Sequence, residues 1–317
     1  MRRIYIIFLL SVSLYSCVED YDLKLKDYTA KHTIDATIST DVDYNFVRIS
    51  KIKGGLVSGE SLMLVSGEGR LPKDIGVENA IVKIQDSKGN TYEFLKILNT
   101  DPKGVDDVYY EKYVHFKCGY GYYKAPAGFK AIVGETYTLD VKVDNMHYTA
   151  ISRVLKTPQI TKIEVRKQQL EIQKEESMVP FISFTDVDVK NTNYYISQLY
   201  SFDINSLEGR LNSSSRLWGY SIFDDALLKP KVKDFKIGFG TSSNHLIWYP
   251  DHANKLKVKL MSINKEAYEY YKILVSQIKN DGGMYSPSPA SPVTNIKGGA
   301  LGYFMTLDVS TITSNKF

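Results

Sequence analysis

The chain is expected to fold as a mainly β protein, and three observations predict this. Short runs alternate apolar and polar residues, turns bearing Gly and Asn separate them, and one late segment alone repeats at helical spacing. Successive side chains of a strand point to opposite faces, so a period of two marks a sheet with one wet and one dry side. Several short strands of this kind, divided by turn signals, indicate a β-sandwich.

From His32 the alternation puts Ile34, Ala36 and Ile38 on one side and Asp35 and Thr37 on the other. Tyr44 to Ile52 gives a second strand, with Val47 and Ile49 two apart. Residues 54–76 carry many Gly and Ser residues and read as a long loop. The clearest hairpin follows. Ala80, Val82 and Ile84 alternate, Asp86-Ser87-Lys88-Gly89-Asn90 turns the chain, and Tyr92 and Phe94 resume the alternation. Gly and Asn supply the positive φ that such turns require. A further strand runs through Tyr137, Leu139, Val141 and Val143, and Asp144-Asn145 turns it toward Tyr148 and Ala150.

Pro158 makes a natural break, so an N-terminal sandwich is expected over 32–158 and a second β-rich domain over 159–317. Extended stretches are expected at about 160–172, 179–185, 193–204, 232–240 and 255–263, with a last strand over 302–309. Before that last strand, Ala267, Tyr271, Leu274 and Ile278 form one apolar stripe at helical spacing. Asn264 can cap this helix and Gly282-Gly283 can end it. Ser286-Pro287-Ser288-Pro289-Ala290-Ser291-Pro292 then reads as a stiff loop.

The first residues speak to address. Arg2 and Arg3 form a positive start, and Ile4 to Leu14 form an apolar run too short to span a bilayer, which needs about 20 residues. Such a start, with a small residue before the cleavage point, marks a secretory signal over 1–16. Leu14-Tyr15-Ser16-Cys17 resembles the lipobox of bacterial lipoproteins, with Cys17 as the acylated residue. The alternative is an ordinary signal with a chance cysteine, but the chain has two cysteines and one stands at the cleavage point. Several acyl chains on one cysteine hold a protein stably at a membrane. The acidic residues Glu19, Asp20 and Asp22 open a tether over 17–31 and resemble a surface-export signal; the plainer reading is a solvated spacer.

Without residues 1–16 the balance is about +2, which argues against a nucleic-acid binder and its basic stripe. Cys118 has no partner once Cys17 is lipidated, and a free cysteine is most often a small buried hydrophobe. The 24 tyrosines suit both strand faces and wet interfaces. The run Tyr109, Tyr110, Tyr113, Tyr120, Tyr122 and Tyr123 is the leading candidate contact surface, with Trp248 and Tyr285 beside it. The competing reading is a pair of strands packed on the core. Residues 119–123 and 286–299 are the loops expected to carry contacts.

Catalytic and cofactor signals are sparse. His245 and His252 stand too far apart for paired zinc ligands, and His32, His115 and His147 are scattered. Asp186-Val187-Asp188-Val189-Lys190-Asn191 alternates oxygen ligands but has Asn191 where a calcium loop needs Gly, so a turn between strands is expected. There is no G-x-S-x-G elbow and no phosphate loop. Asp224 and Asp225 are adjacent, and on a strand they point to opposite faces, which does not suit paired acid–base work. No cofactor and no metal are expected.

Taken in order, several segments resemble one family, a group of outer-membrane lipoproteins catalogued as domain of unknown function 4249 and often encoded beside TonB-dependent receptors. They are the lipobox, the strand Ala80 to Asp86 with its Gly turn, and Gly134-Glu135-Thr136-Tyr137-Thr138-Leu139. They continue with Phe184-Thr185-Asp186, Asn193-Tyr194-Tyr195, Phe223-Asp224-Asp225 and Glu269-Tyr270-Tyr271. Asn295-Ile296-Lys297-Gly298-Gly299 ahead of Gly302-Tyr303-Phe304 completes the set. Two positions depart: Leu228-Lys229-Pro230 replaces an expected Gly turn, and Met305 stands where a small residue is commoner. The resemblance implies an Ig-like or transthyretin-like N-terminal sandwich, a second β-rich domain and a role beside an outer-membrane receptor. It carries no catalytic residues.

The functional expectation is a non-enzymatic accessory lipoprotein of the outer membrane, on its periplasmic or cell-surface face. The membrane would be met through the lipid anchor, and a TonB-dependent receptor is the implied partner. A fimbrial or adhesive subunit is the alternative, and an exported hydrolase the third reading.

Overall fold

The computed structural model describes residues 32–42, 45–51, 75–97, 121–169, 176–202, 220–237, 255–279 and 292–315. Its first strands follow the alternation of the sequence. β1 (His32–Ser39) and β2 (Phe46–Lys51) pair antiparallel, with His32 opposite Lys51 and Ala36 opposite Val47. The two-residue β3 (Ile75–Gly76) adds to the end of β2. β4 (Ile81–Asp86) and β5 (Thr91–Lys96) form the predicted hairpin. Gly89 takes a φ of 88°, while the Asp86 carboxylate accepts the N–H groups of Lys88 and Asn90. β6 (Tyr122–Lys124) joins β2 to β5. β7 (Thr136–Val143) and β8 (Met146–Arg153) make the second predicted hairpin, where Asp144 adopts a φ of 51°.

In the second half, β9 (Ile160–Gln169), β10 (Glu176–Thr185) and β13 (Lys231–Lys236) form a separate three-stranded sheet. Its outer strand β9 carries Lys162, Glu164 and Arg166, and Arg166 reaches Asp234 at 3.0 Å. Charge on an outer strand discourages pairing with another chain. β11 (Tyr194–Phe202), β12 (Tyr220–Asp224) and β14 (Lys255–Ile263) belong instead to the large sheet. The helix is where the sequence places it, as α1 (Lys265–Lys279). Asn264 Oδ1 accepts the N–H of Ala267 at 2.8 Å, the expected cap. β15 (Leu301–Thr313) is the longest strand.

Among the described residues the large sheet has twelve strands, in the order β12-β11-β14-β15-β1-β2-β6-β5-β4-β7-β8, with β3 on β2. One apolar core takes side chains from both ends of the first-half path, from Ile34, Ala36 and Ile38 of β1 to Leu139, Val141 and Ala150 of β7 and β8. The sheet therefore folds over on itself, and each end covers the other. At the closing edge Lys297 and Thr149 exchange main-chain hydrogen bonds, and the Ser152 and Thr306 hydroxyls meet at 3.0 Å.

A division at Pro158 does not partition the strands. β15 lies parallel to β1 from Leu301 to Leu307, then antiparallel to β14 from Asp308 to Thr313. A strand from the second half thus stands inside the sheet of the first. The sequence cannot announce this, because Gly302 to Met305 and on to Asp308 are buried on both faces and show no alternation. Phe304 enters the first core, while Tyr303, Met305 and Leu307 meet Ala267, Tyr270 and Leu274 of α1 in a second. A third core lies between the two sheets of the second half, around Ile182, Phe184, Tyr195 and Leu260. Burying each such side chain contributes about 1.5–3 kcal/mol.

Candidate functional site

Strand register brings several chain segments to one end of the first core, the end at which β1 begins. His32 faces Lys51, and Lys51 in turn faces Ile75. Ile97 donates its N–H to the Tyr122 carbonyl, and Ile49 donates to the Gly121 carbonyl. The residues flanking 52–74 (Lys51, Ile75) and those flanking 98–120 (Ile97, Gly121) therefore share this entry end with the start of β1. The Asp144-Asn145 turn and the stretch 292–300 complete it: Lys51 Nζ lies 2.7 Å from Asp144 Oδ2, and Gly298 packs on the His147 carbonyl.

The entry end is tied by polar bonds across the core. His32 Nδ1 and the Tyr148 hydroxyl are 2.7 Å apart, and their rings meet edge to face. Both groups are buried. Burial lowers the His32 pKa, the Lys51 ammonium lowers it further, and Asp144 opposes them. The Asp144 carboxyl is itself held down by the Lys51 hydrogen bond and by Asn79, which donates at 3.3 Å. Lys96 and Glu78 pair at 3.2 Å. On the outer face, His147 Nε2 and Asp140 Oδ2 lie 2.6 Å apart, both open to solvent.

Of the aromatic candidates, Tyr122 and Tyr123 are described, and both are only 2% exposed. They leave the set of surface contacts. Adjacent on β6, they point to opposite faces, and each face is covered. The Tyr122 ring lies 6.2 Å from Phe46, with the Arg48 guanidinium over it. The Tyr123 hydroxyl donates to the Val77 carbonyl and accepts the Ala80 N–H, fixing the chain between β3 and β4. Cys17, Tyr109, Tyr110, Tyr113, Tyr120, Trp248 and Tyr285 lie outside the described residues, as do Cys118, His115, His245 and His252. Of the two loops expected to carry contacts, 119–123 is instead strand β6 at residues 122 and 123. The described part of 286–299, residues 292–299, is tied to the fold, since Asn295 accepts the N–H of Phe304 and donates to its carbonyl.

The oxygen-rich stretch after β10 is a turn. Asp186 Oδ1 accepts the Asp188 N–H, and Asn193 Nδ2 sits 3.0 to 3.1 Å from Asp186, Asp188, Asn191 and Asp225 oxygens. Asp224 and Asp225 do diverge: Asp224 accepts from Tyr268 of α1, and Asp225 accepts from Tyr195 on the third core. Burial, with Asp225 close by, raises the Tyr195 pKa well above its usual range. Among the described residues no group of three or more His, Cys, Asp or Glu side chains is placed to hold a metal ion.

The His32–Tyr148 and Lys51–Asp144 ties escaped sequence reasoning, because their partners come from opposite ends of the first half. The Asp144-Asn145 turn was the one legible sign that chain meets chain there.

A family model described as Domain of unknown function (DUF4249) matches residues 18–313. No curated protein matches the chain.

Proposed function

The chain belongs to the DUF4249 family, and from that premise we propose that it is a lipid-anchored, non-enzymatic accessory module that binds a partner at the outer membrane. The entry end is the partner-facing surface in this reading, and the partner class is an outer-membrane receptor of the TonB-dependent kind. One observation carries it: the flanks of 52–74 and 98–120 stand beside the start of β1. An anchor at Cys17 precedes His32 by 15 residues. Fully extended, they reach at most about 50 Å. Anchoring through Cys17 would hold His32, and with it the entry end, within about that distance of the bilayer.

A further feature supports the reading: Leu14-Tyr15-Ser16-Cys17 resembles a lipobox. No helix among the described residues is long and apolar enough to cross a membrane.

The test is affinity purification of the tagged, lipidated chain from solubilised outer membrane, with mass spectrometry of what accompanies it. Stoichiometric recovery of a receptor, lost when Tyr109, Tyr110 and Tyr113 are replaced by Ser, is the expected result. Recovery of the protein alone, or of a ladder of its own copies, refutes the accessory role. Cys17→Ala is expected to abolish acyl labelling and release the chain from the membrane fraction.

A further inference from the structure

β15 contributes side chains to each of the three cores among the described residues. Phe304 faces the first; Tyr303, Met305 and Leu307 supply three of the nine buried residues of the second; Ile312 packs against the third. Its polar side chains hold the connection between the halves. Asp308 Oδ2 accepts the Thr157 N–H at 2.8 Å, and Thr157 Oγ1 donates to the Asp308 carbonyl at 2.7 Å. Ser310 Oγ accepts the Ile160 N–H at 3.0 Å. At Gly302 the approach to β1 is so close that a Cβ would lie 2.1 Å from the Ile34 carbonyl oxygen. Asp308 and its partner Thr40, which donates to it at 2.9 Å, are 268 residues apart in the chain.

We infer that the fold closes in one final, all-or-none step, when residues 295–314 dock and pair with β1 over 301–307 and with β14 over 308–313, and that neither half persists without it. Before that step β1 has an open edge, α1 lacks the floor made by Tyr303, Met305 and Leu307, and the connector at Thr157 and Ile160 has no acceptors. Pairing the first strand with the last also makes closure slow, because the longest loop must close before its contacts form. One consequence rests on the export reading given above. A chain that meets the export machinery before residue 314 is made has no closed body to obstruct its passage. The closure itself does not depend on that reading, and its test is separate.

The experiment is native-state hydrogen exchange with mass spectrometry, together with thermal unfolding, on the full chain from Cys17 onward. Ile84 lies in the first core on β4, away from α1 and β14. Ile84→Val is expected to accelerate exchange about fivefold in β4 and β7, and by the same factor in α1 and β14. Phe304→Ala is expected to lower one shared thermal transition by about 5–10 °C. Should that variant fail to fold, Thr306→Val, which removes only the contact to Ser152, is expected to give a smaller shift of the same single transition. Two separable transitions, or acceleration confined to the first-core segments, would overturn the inference.

Discussion

Replacing Asp308 with Ala tests how much the connector contributes to stability. Asp308 is 9% exposed, and its carboxylate accepts two hydrogen bonds, from Thr40 Oγ1 at 2.9 Å and from the Thr157 main-chain N–H at 2.8 Å. Hydrogen bonds to a charged group contribute about 1.5–3 kcal/mol each, and a buried donor left without an acceptor costs about 1–3 kcal/mol. Thr157 is 1% exposed, so water cannot replace the lost acceptor. Thr40 can turn its hydroxyl elsewhere, which limits its share. The loss expected for Asp308→Ala is therefore about 3–5 kcal/mol. Asp308→Asn keeps one oxygen for Thr157 and turns its amide toward Thr40 Oγ1, so about 1 kcal/mol is expected there. Urea unfolding of the full chain from Cys17 onward measures both. With a slope of about 3 kcal/mol/M, the Ala midpoint falls by roughly 1 M or more. A fall below about 0.3 M for Ala, or equal falls for Asn and Ala, refutes the reasoning.

Three other predictions use the same unfolding assay. Burial and Lys51 lower the His32 pKa in the folded state, so the fold prefers the neutral ring. The stability this contributes is fully present above the unfolded value of about 6.5 and is lost as pH falls toward the folded value. His32→Gln should flatten that part of the pH profile, and an unchanged profile would exclude His32 as its source. Gly302→Ala places a Cβ against the Ile34 carbonyl at a φ of 98° and should cost more than about 3 kcal/mol. Gly89→Ala, at a φ of 88° in open space, should cost about 1 kcal/mol, and equal costs would contradict the close approach of β15 to β1. Asn264→Ala removes the cap on Ala267 and should cost about 1 kcal/mol, with Asn264→Asp restoring most of it.

The parts of the fold that were legible in the sequence are those whose partners are near in the chain. The Ile81–Asp86 and Thr91–Lys96 strands meet across four residues, and Val82, Ile84 and Phe94 face inward as their spacing requires. The helix announced itself through Asn264 and the Ala267–Leu274 stripe, because capping and periodicity are both local. β15 was legible only as a strand. A segment buried on both faces has no polar side to reveal which sheet it joins, and its partner β1 lies at the other end of the chain. Pro158 stands in the connector between β8 and β9, and the Thr157 and Ile160 bonds to β15 tie that connector to the sheet.

The same locality limits what an aromatic run can say about a site. Tyr122 and Tyr123 are surface candidates in the sequence because they close the aromatic run from Tyr109 and fall in the expected loop 119–123. Both are buried here, since Phe46 covers one face of β6 and the chain at Val77 and Ala80 crosses the other. A short, doubly covered β6 fixes where residue 121 stands, and hydrogen bonds at Ile49 and Ile97 fix both flanks of 98–120 beside the start of β1. Three of the sequence candidates, Tyr109, Tyr110 and Tyr113, belong to a segment whose two flanks are held at the entry end. If a receptor binds the chain, alanine substitutions at the exposed pair His147 and Asp140 on that end should weaken capture. Substitutions at Val189 and Leu227, exposed in the second half, should leave it unchanged.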